Sequence, residues 1–364
     1  MTQVSLRKCE TYEPAMVKEA IRKSLDDIGG IARFVKPGQK VMLKPNLFSE
    51  TAVNTNAATH PSVIQAVAEL VIEQGAIAVI GEMVCGDGNN RRALATHIGS
   101  LSKELGIKMS DFQRGHFTPV KLSKSLLIDD IYVANNLLNA DVRINLPKFK
   151  THMQTAITGA VKNAYGCIRH DQRIKYHQIY QGEEFSRAVI DIYSAVGFDL
   201  TIMDAIECLE GDDGPAHGQI SRLDYITAGV DAVAVDSVIS RIAGMEPAYI
   251  PTCRRAEEAD VGIMDSSKIV LQGDMLKRGS FRSNSRYEYY EKLFTLGKAE
   301  DATIRRINSN CIQCLACKRN CPVGAISFDV HGKLVIDRHI CVRCDCCIEV
   351  CPVKAVDVVV EKNP

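Results

Sequence analysis

The sequence predicts an α/β chain, a large domain with a mostly parallel sheet flanked by helices, followed by a small, cysteine-rich α+β domain. Two observations carry this. Helix-like and strand-like patterns alternate through residues 1–275, and residues 304–364 contain the same cysteine run twice.

The elements follow in order. Val17, Ile21, Leu25 and Ile28 fall on one helical stripe, which Gly29 and Gly30 stop. Val41–Leu43 is a short buried strand running into Lys44, Pro45 and Asn46. Pro61 suits a first helical turn, and Ile64, Val67, Ala68, Val71 and Ile72 form the apolar face behind it. Gly75 ends that helix; Ile77–Ile80 is a second strand, closing at Gly81 and Glu82. A charged helix is expected from Asn90 to Leu105 and a strand from Lys108 to Phe112. Strands follow at Asp141–Leu146, Leu200–Ile206 and Tyr225–Gly229, with a helix over Phe185–Val196. A helix carrying Val235, Val238, Ile239 and Ile242 precedes a last strand at Lys268–Gln272. Residues 1–275 thus read as one α/β domain. Residues 276–303, rich in Arg, Lys, Glu, Tyr and Ser, read as a solvated helical connector to the second domain, 304–364.

The two runs are Cys311-x2-Cys314-x2-Cys317-x3-Cys321-Pro322 and Cys341-x2-Cys344-x2-Cys347-x3-Cys351-Pro352. This is the sequence form of a bacterial two-cluster ferredoxin module. Each run supplies three thiolates to its own [4Fe–4S] cube, and its fourth cysteine ligates the other cube. One cluster then takes Cys311, Cys314, Cys317 and Cys351; the other takes Cys341, Cys344, Cys347 and Cys321. Disulfides need an oxidising compartment, and no signal peptide is visible at Met1–Ser5. Structural zinc prefers two well-separated CxxC pairs. Each proline suits the turn after its ligand, where no backbone N–H is needed. Cys346 lies off the ligand spacing and reads as a spare thiol. Cys9, Cys85, Cys167, Cys208 and Cys253 read as small buried hydrophobes.

Composition removes several function classes. With 44 basic and 44 acidic residues, no overall field draws the chain to nucleic acid or to a membrane surface. No apolar run is long enough to span a bilayer. There is no tryptophan, no basic–aromatic stripe, no GxGxxG after the first strand and no Walker A sequence. Fourteen cysteines without a secretion signal point to a reducing cytoplasm, and exposed cubes to an anaerobe.

In open α/β sheets, ligands bind beyond the carboxyl ends of strands. Four polar groups fall there: Lys44–Asn46; Gly81–Glu82 with Gly86, Asp87 and Gly88; Asn145–His152 with Gly159, Lys162, Asn163 and Gly166; and an acidic loop, Asp204–Gly218. Lys148, Lys150 and Lys162 sit at an expected strand-to-helix junction, where free N–H groups already favour an anion. They are the candidates to hold an anionic substrate, with Asn46, Asn163, Glu82 and Glu207 lining the same cleft. His152 and His60 are the candidate proton donors, His60 having capping as its other reading. Lys44, if buried, is a further acid–base candidate. The acidic loop has oxygen ligands for Mg²⁺ or Ca²⁺, but Gly211–Pro215 is a good turn without EF-hand spacing, and we read it as a turn.

At these positions the chain resembles the domain of unknown function 362 family. The resemblance rests on Lys44-Pro45-Asn46, Thr59-His60-Pro61, Gly81-Glu82, Lys148–His152 with Thr155, Gly159, Lys162-Asn163 and Gly166, Glu207 with Gly211–Gly218, and Asp231–Asp236. It covers residues 4–275, and members often carry a ferredoxin module. It implies a shared cleft at these positions and names no substrate. The resulting expectation is an iron–sulfur oxidoreductase. Two [4Fe–4S] clusters, fed by a low-potential ferredoxin or flavoprotein, would reduce an anionic small molecule, for example at an activated C=C bond. Whether a flavin or other organic cofactor stands between cube and substrate is open at this level. The alternative expectation is a non-catalytic electron-transfer or assembly protein that docks on a larger redox enzyme. A redox or iron sensor ranks third, because no DNA-binding element is visible.

Overall fold

The structure, a computed structural model, describes residues 1–47, 56–83, 98–180, 182–211, 218–274, 279, 281–296, 303–321, 323–341 and 343–360. The Gly86–Gly88 segment, Cys85, the first part of the helix expected from Asn90, Asp212–Pro215 and Pro322 lie outside the described residues.

The strands in chain order are β1 (Thr2–Lys8), β2 (Lys40–Pro45), β3 (Ile77–Glu82), β4 (Lys108–Asp111), β5 (Phe117–Val120), β6 (Ile131–Ala134), β7 (Val142–Leu146), β8 (Lys148–His152), β9 (Ala156–Thr158), β10 (Leu200–Glu210), β11 (Gln219–Gly229) and β12 (Ile269–Gly273). All but β5 and β6, which pair with each other, join one sheet of order β12-β1-β11-β10-β7-β2-β3-β4, with β8 beside β10 and β9 beside β8. Pairing is parallel from β10 through β4, and between β1 and β12. Only β11 runs against both neighbours. Its short connection to β10 dictates that, because strands joined by a tight return pair antiparallel, whereas parallel partners need a crossover.

Alternation along each strand sends side chains to two cores. Val41, Leu43, Ile144 and Ile202 pack under the helices Pro14–Asp26 and Pro61–Glu73. Met42 and Met203 face the opposite core, with Phe149, Val189 and Ile192, and with Val235 and Ile239 of the Ala232–Ile242 helix. Both faces are covered, which is why the strands read as continuous apolar runs. The structure departs from the sequence reading in several places. β1, β5, β6, β8 and β9 are additional strands, and β10, expected to end at Ile206, runs on through Glu210 into the expected acidic loop. The connector contains a helix as expected, Ser285–Leu296, but it is not simply solvated: it docks through buried Tyr287 and Tyr290, with Asn284 buried just before it. Tyrosines three residues apart place a packed stripe inside a polar stretch.

The C-terminal unit pairs β13 (Thr303–Ile307) with β16 (Val356–Val360), and β14 (Ile326–Phe328) with β15 (Leu334–Ile336), all antiparallel. Its halves repeat in backbone as well as sequence. Gln313 and Arg343, Leu315 and Asp345, and Gly324 and Lys354 occupy equivalent positions, and all six have positive φ. Such left-handed residues bend each CxxCxxC loop around its cysteines.

Candidate functional site

Beyond the carboxyl ends of β2, β3 and β7 lies a cavity of about 110 Å³. Lys44, from β2, is buried there and donates to Glu82 of β3 at 2.8 Å and to its neighbour's carbonyl, Pro45 O, at 2.8 Å. Glu82 is held in turn by the N–H groups of Leu47 and Met83. The pair fits only because residue 166 is glycine: a Cβ there would stand 2.7 Å from Glu82 Oε1 and 3.0 Å from Lys44 Nζ.

An asparagine chain forms the adjoining wall. Asn46 donates to Asn163 Oδ1, and Asn163 donates to Asn145 Oδ1 and to the Lys44 carbonyl. Lys150 reaches the Ala57 carbonyl at 2.7 Å. Lys162 lies over the rings of Tyr165 and Phe185. Arg173 and His177, one turn apart on the helix His170–Ile179, complete the side with Thr158. Among the described lining residues, four are cationic (Lys44, Lys150, Lys162, Arg173) and one is anionic (Glu82).

His152 is buried, and its Nδ1 accepts the N–H groups of Gln154 and Thr155, which assigns the ring proton to Nε2. Burial, then Lys162, His177 and Lys150, hold its pKa well below the usual histidine value. His177 is lowered in the same way by burial, Lys162 and Arg173. Both imidazoles are therefore neutral at physiological pH, and His152 offers an N–H rather than an imidazolium. Among the described residues, His177 Nδ1 and Thr158 Oγ1 are buried atoms without a hydrogen-bond partner.

The sequence-derived candidates divide. Lys44, Asn46, Glu82, Lys150, His152, Lys162 and Asn163 meet at this cavity. Lys148, His60 and Glu207 do not. Lys148 is fully buried against Asp204 at 2.9 Å and donates to the Tyr12 hydroxyl at 2.6 Å, so its charge is already matched inside the protein. His60 caps the Pro61–Glu73 helix through Nδ1 to Ser62 N, and its ring stacks on Tyr12 at 3.7 Å. Burial lowers its pKa too. Glu207 is taken by Asn56 and Arg222. The helix start beyond β9 is no open anion seat either: Asp236 accepts the N–H groups of Ala160 and Val161. Arg173, His177, Thr158 and Tyr165 were not singled out from sequence, though Arg173 and His177 share the i, i+4 spacing of one helix face.

The ferredoxin-like unit abuts this site. Met153, directly after His152, is buried in one apolar cluster with Cys317, Cys347, Cys351 and Ile326. From the other side, Asn284 donates to the carbonyls of His152 and Ala156, and Arg286 to that of Met153. Cys311, Cys314, Cys317 and Cys351 converge on one small apolar-walled cavity, the set the ligand-crossing rule requires. Cys321 Sγ and Cys351 Sγ each accept a backbone N–H, from Ala325 and Ala355, as thiolate ligands of a cube do. The donor set fits an iron–sulfur cluster. Among the remaining thiols, Cys167, Cys208 and Cys253 are buried, and burial pushes the Cys167 thiol up to about 12. No helix among the described residues is long and apolar enough to cross a membrane.

Residues 41–241 match a family described as Domain of unknown function (DUF362), and residues 310–355 match the 4Fe-4S dicluster domain. The thylakoid-associated protein sll1697 of Synechocystis sp. (strain ATCC 27184 / PCC 6803 / Kazusa) is 33% identical over 261 residues, 70% of this chain and 78% of that protein. Among solved structures, the lactate racemase apoprotein from Thermoanaerobacterium thermosaccharolyticum aligns with a TM-score of 0.44 and 10% identity. That alignment covers 65% of this chain and 56% of the other, so the chain spans little more than half of it.

Proposed function

This chain belongs to the DUF362 family and carries a 4Fe-4S dicluster domain, and from that premise we propose that it is an oxidoreductase delivering electrons to an anionic small molecule in the Lys/His-lined cavity. In this reading residues 1–275 hold the ligand and residues 304–364 carry two [4Fe–4S] clusters, with 276–303 joining them. The observation that carries it is the adjacency of Met153, inside the ferredoxin-like core, to His152, on the cavity wall. A protein built only to ferry electrons has no use for a cationic cavity one peptide bond from its cluster core.

The clusters supply single electrons at low potential when bound. The chain's own residues do the rest. Lys150, Lys162 and Arg173 attract the anion, and the Lys44–Glu82 pair and the asparagine wall fix its orientation. His152, neutral and protonated on Nε2, donates a hydrogen bond to oxygen as negative charge builds during reduction. An apolar cavity of roughly 150 Å³ takes a benzene-sized guest, so the smaller space here suits a short carboxylate or similar oxoanion. Reduction of an activated C=C bond in such a molecule, a change of two electrons with two protons taken up from solvent, fits this size and charge. A reducing cytoplasm, an anaerobic host and a ferredoxin or flavoprotein donor belong to the same reading.

The test is to purify the chain anaerobically, identify the co-purifying small anion, and compare native protein with His152→Gln and Lys162→Gln. Both variants should lose ligand and turnover while keeping the iron–sulfur absorbance. Unchanged turnover would sink the residue assignment. An empty cavity together with a stoichiometric protein partner would replace this reading with that of a docking electron carrier.

A further inference from the structure

The two halves of the C-terminal unit share a backbone but differ in one buried charge pair. Leu315 in the first half corresponds to Asp345 in the second, and both are left-handed at φ 63°. Asp345 is 1% exposed and paired with Arg305, itself 6% exposed. The guanidinium sends Nε and Nη2 to the two Asp345 oxygens. Its third nitrogen, Nη1, is buried and has no hydrogen-bond partner among the described residues. The strand register makes Leu334 the counterpart of Arg305, since Arg305 pairs with Val358 as Leu334 pairs with Phe328. Leu334 is 4% exposed and lies beside Leu315 at the other cysteine cavity. Asp345 lies between Cys344 and Cys347 in the chain, so its guanidinium partner stands beside the second cysteine run.

A buried N–H without an acceptor calls for one, and the sulfurs of a cube are acceptors that only the cofactor brings. We infer that Arg305 is a positioning residue whose Nη1 donates an N–H···S hydrogen bond to the cluster held by Cys341, Cys344, Cys347 and Cys321, raising the reduction potential of that cluster alone. The inference rests on the two-cluster reading above. Its cause is electrostatic: reduction adds negative charge to the cube, and a directed N–H in a low-dielectric site stabilises the reduced form more than the oxidised one. Asp345 offsets the charge of Arg305 at a distance but leaves the direction of its third nitrogen intact. Exposure acts separately, since Cys314 is exposed and Cys344 buried. The discriminating quantity is therefore the shift on changing Arg305, not the native order of the two potentials.

The experiment is an anaerobic dithionite titration of the full-length, cluster-loaded chain followed by electron paramagnetic resonance, each cluster taking one electron from the reductant. Arg305→Leu with Asp345→Leu copies the Leu334 and Leu315 pair of the other cysteine cavity, and Leu315 shows that the left-handed backbone position accepts leucine. One of two couples should fall by roughly tenfold in its reduction equilibrium, about 59 mV for a one-electron couple, while the other stays. Arg305→Lys, which keeps the charge but loses the planar fork, should lower the same couple by less. Both couples unmoved, or both moved alike, with full iron and sulfide retained, overturns the proposal. If the double variant loses iron, Arg305→Lys decides, and an unmoved couple there overturns it. A native chain with a single couple and half the expected iron would instead overturn the two-cluster reading, and the inference with it.

Discussion

His152 and Met153 are consecutive residues that serve different units: His152 lines the cationic cavity, and Met153 is buried among Cys317, Cys347 and Cys351. The turn carrying them is pinned by Asn284 and Arg286. Truncation at Met153 should therefore be felt by both units. Met153→Ala is expected to cost about 2–5 kcal/mol, the usual range for a buried methionine, and to lower the thermal midpoint with iron content unchanged. A midpoint equal to the native one would remove Met153 as the packing link.

Gly166 is where the cavity is most easily closed. Gly166→Ala places a methyl against Glu82 and Lys44, and neither can retreat far, because both are buried and hydrogen-bonded. Overpacking of this kind costs roughly 1–3 kcal/mol. The expected result is a chain that still binds its clusters but has lost the co-purifying anion, measured by mass spectrometry of the released ligand.

Asp236 gives a pH signature. Burial pushes its carboxyl up to about 7 even though it accepts two backbone N–H groups. The folded state thus holds a proton that the unfolded chain, at the ordinary value near 4, has released. Its contribution to stability is complete below about pH 4 and is lost as pH rises through about 7. Urea midpoints measured from pH 5 to 8 should show the native protein losing stability relative to Asp236→Asn, which does not titrate, as pH rises. A constant gap across that range would contradict the elevated carboxyl. The buried histidines work in the opposite direction: His152 and His177, with lowered values, withdraw stability as pH falls below about 6.5.

The crossing of ligands is testable by counting iron. Cys351 belongs by sequence to the second run but by position to the cavity of Cys311, Cys314 and Cys317. Cys351→Ser should disturb the cluster of the first run and leave the other, with iron falling from roughly eight towards four atoms per chain. Cys321→Ser should do the reverse, and spectra of the two variants should sum to the native one. Loss of the same cluster in both variants would mean that the runs do not exchange ligands.

Much of the fold was legible because period and punctuation agreed. The stripe of Val17, Ile21 and Leu25 and the strands Val41–Leu43 and Ile77–Ile80 are local signals, and all appear in the structure. β8 was not legible. Lys148, Lys150 and His152 alternate with Phe149 and Thr151, a strand period, yet charged residues on the buried face argue for a loop until Asp204 and the Ala57 carbonyl are brought to them from distant sequence. The same long-range pairing removed Lys148 and His60 from the site, since their partners Asp204 and Tyr12 are far away in the chain. Sequence identifies which residues are chemically capable; only packing shows which are already engaged.

The occupied helix start at Ala160 has a practical consequence. Because the chain's own Asp236 sits on those N–H groups, the attraction of the cavity for an anion comes from side-chain cations and not from backbone dipoles. Two of those cations, Lys162 and Arg173, are half-buried, and mobile ions screen such charges within about 8 Å at physiological ionic strength. Ligand retention should therefore be a property of the buffer as well as of the protein. A purification washed in high salt would deliver an intact, fully coloured iron–sulfur protein stripped of the anion proposed for its cavity.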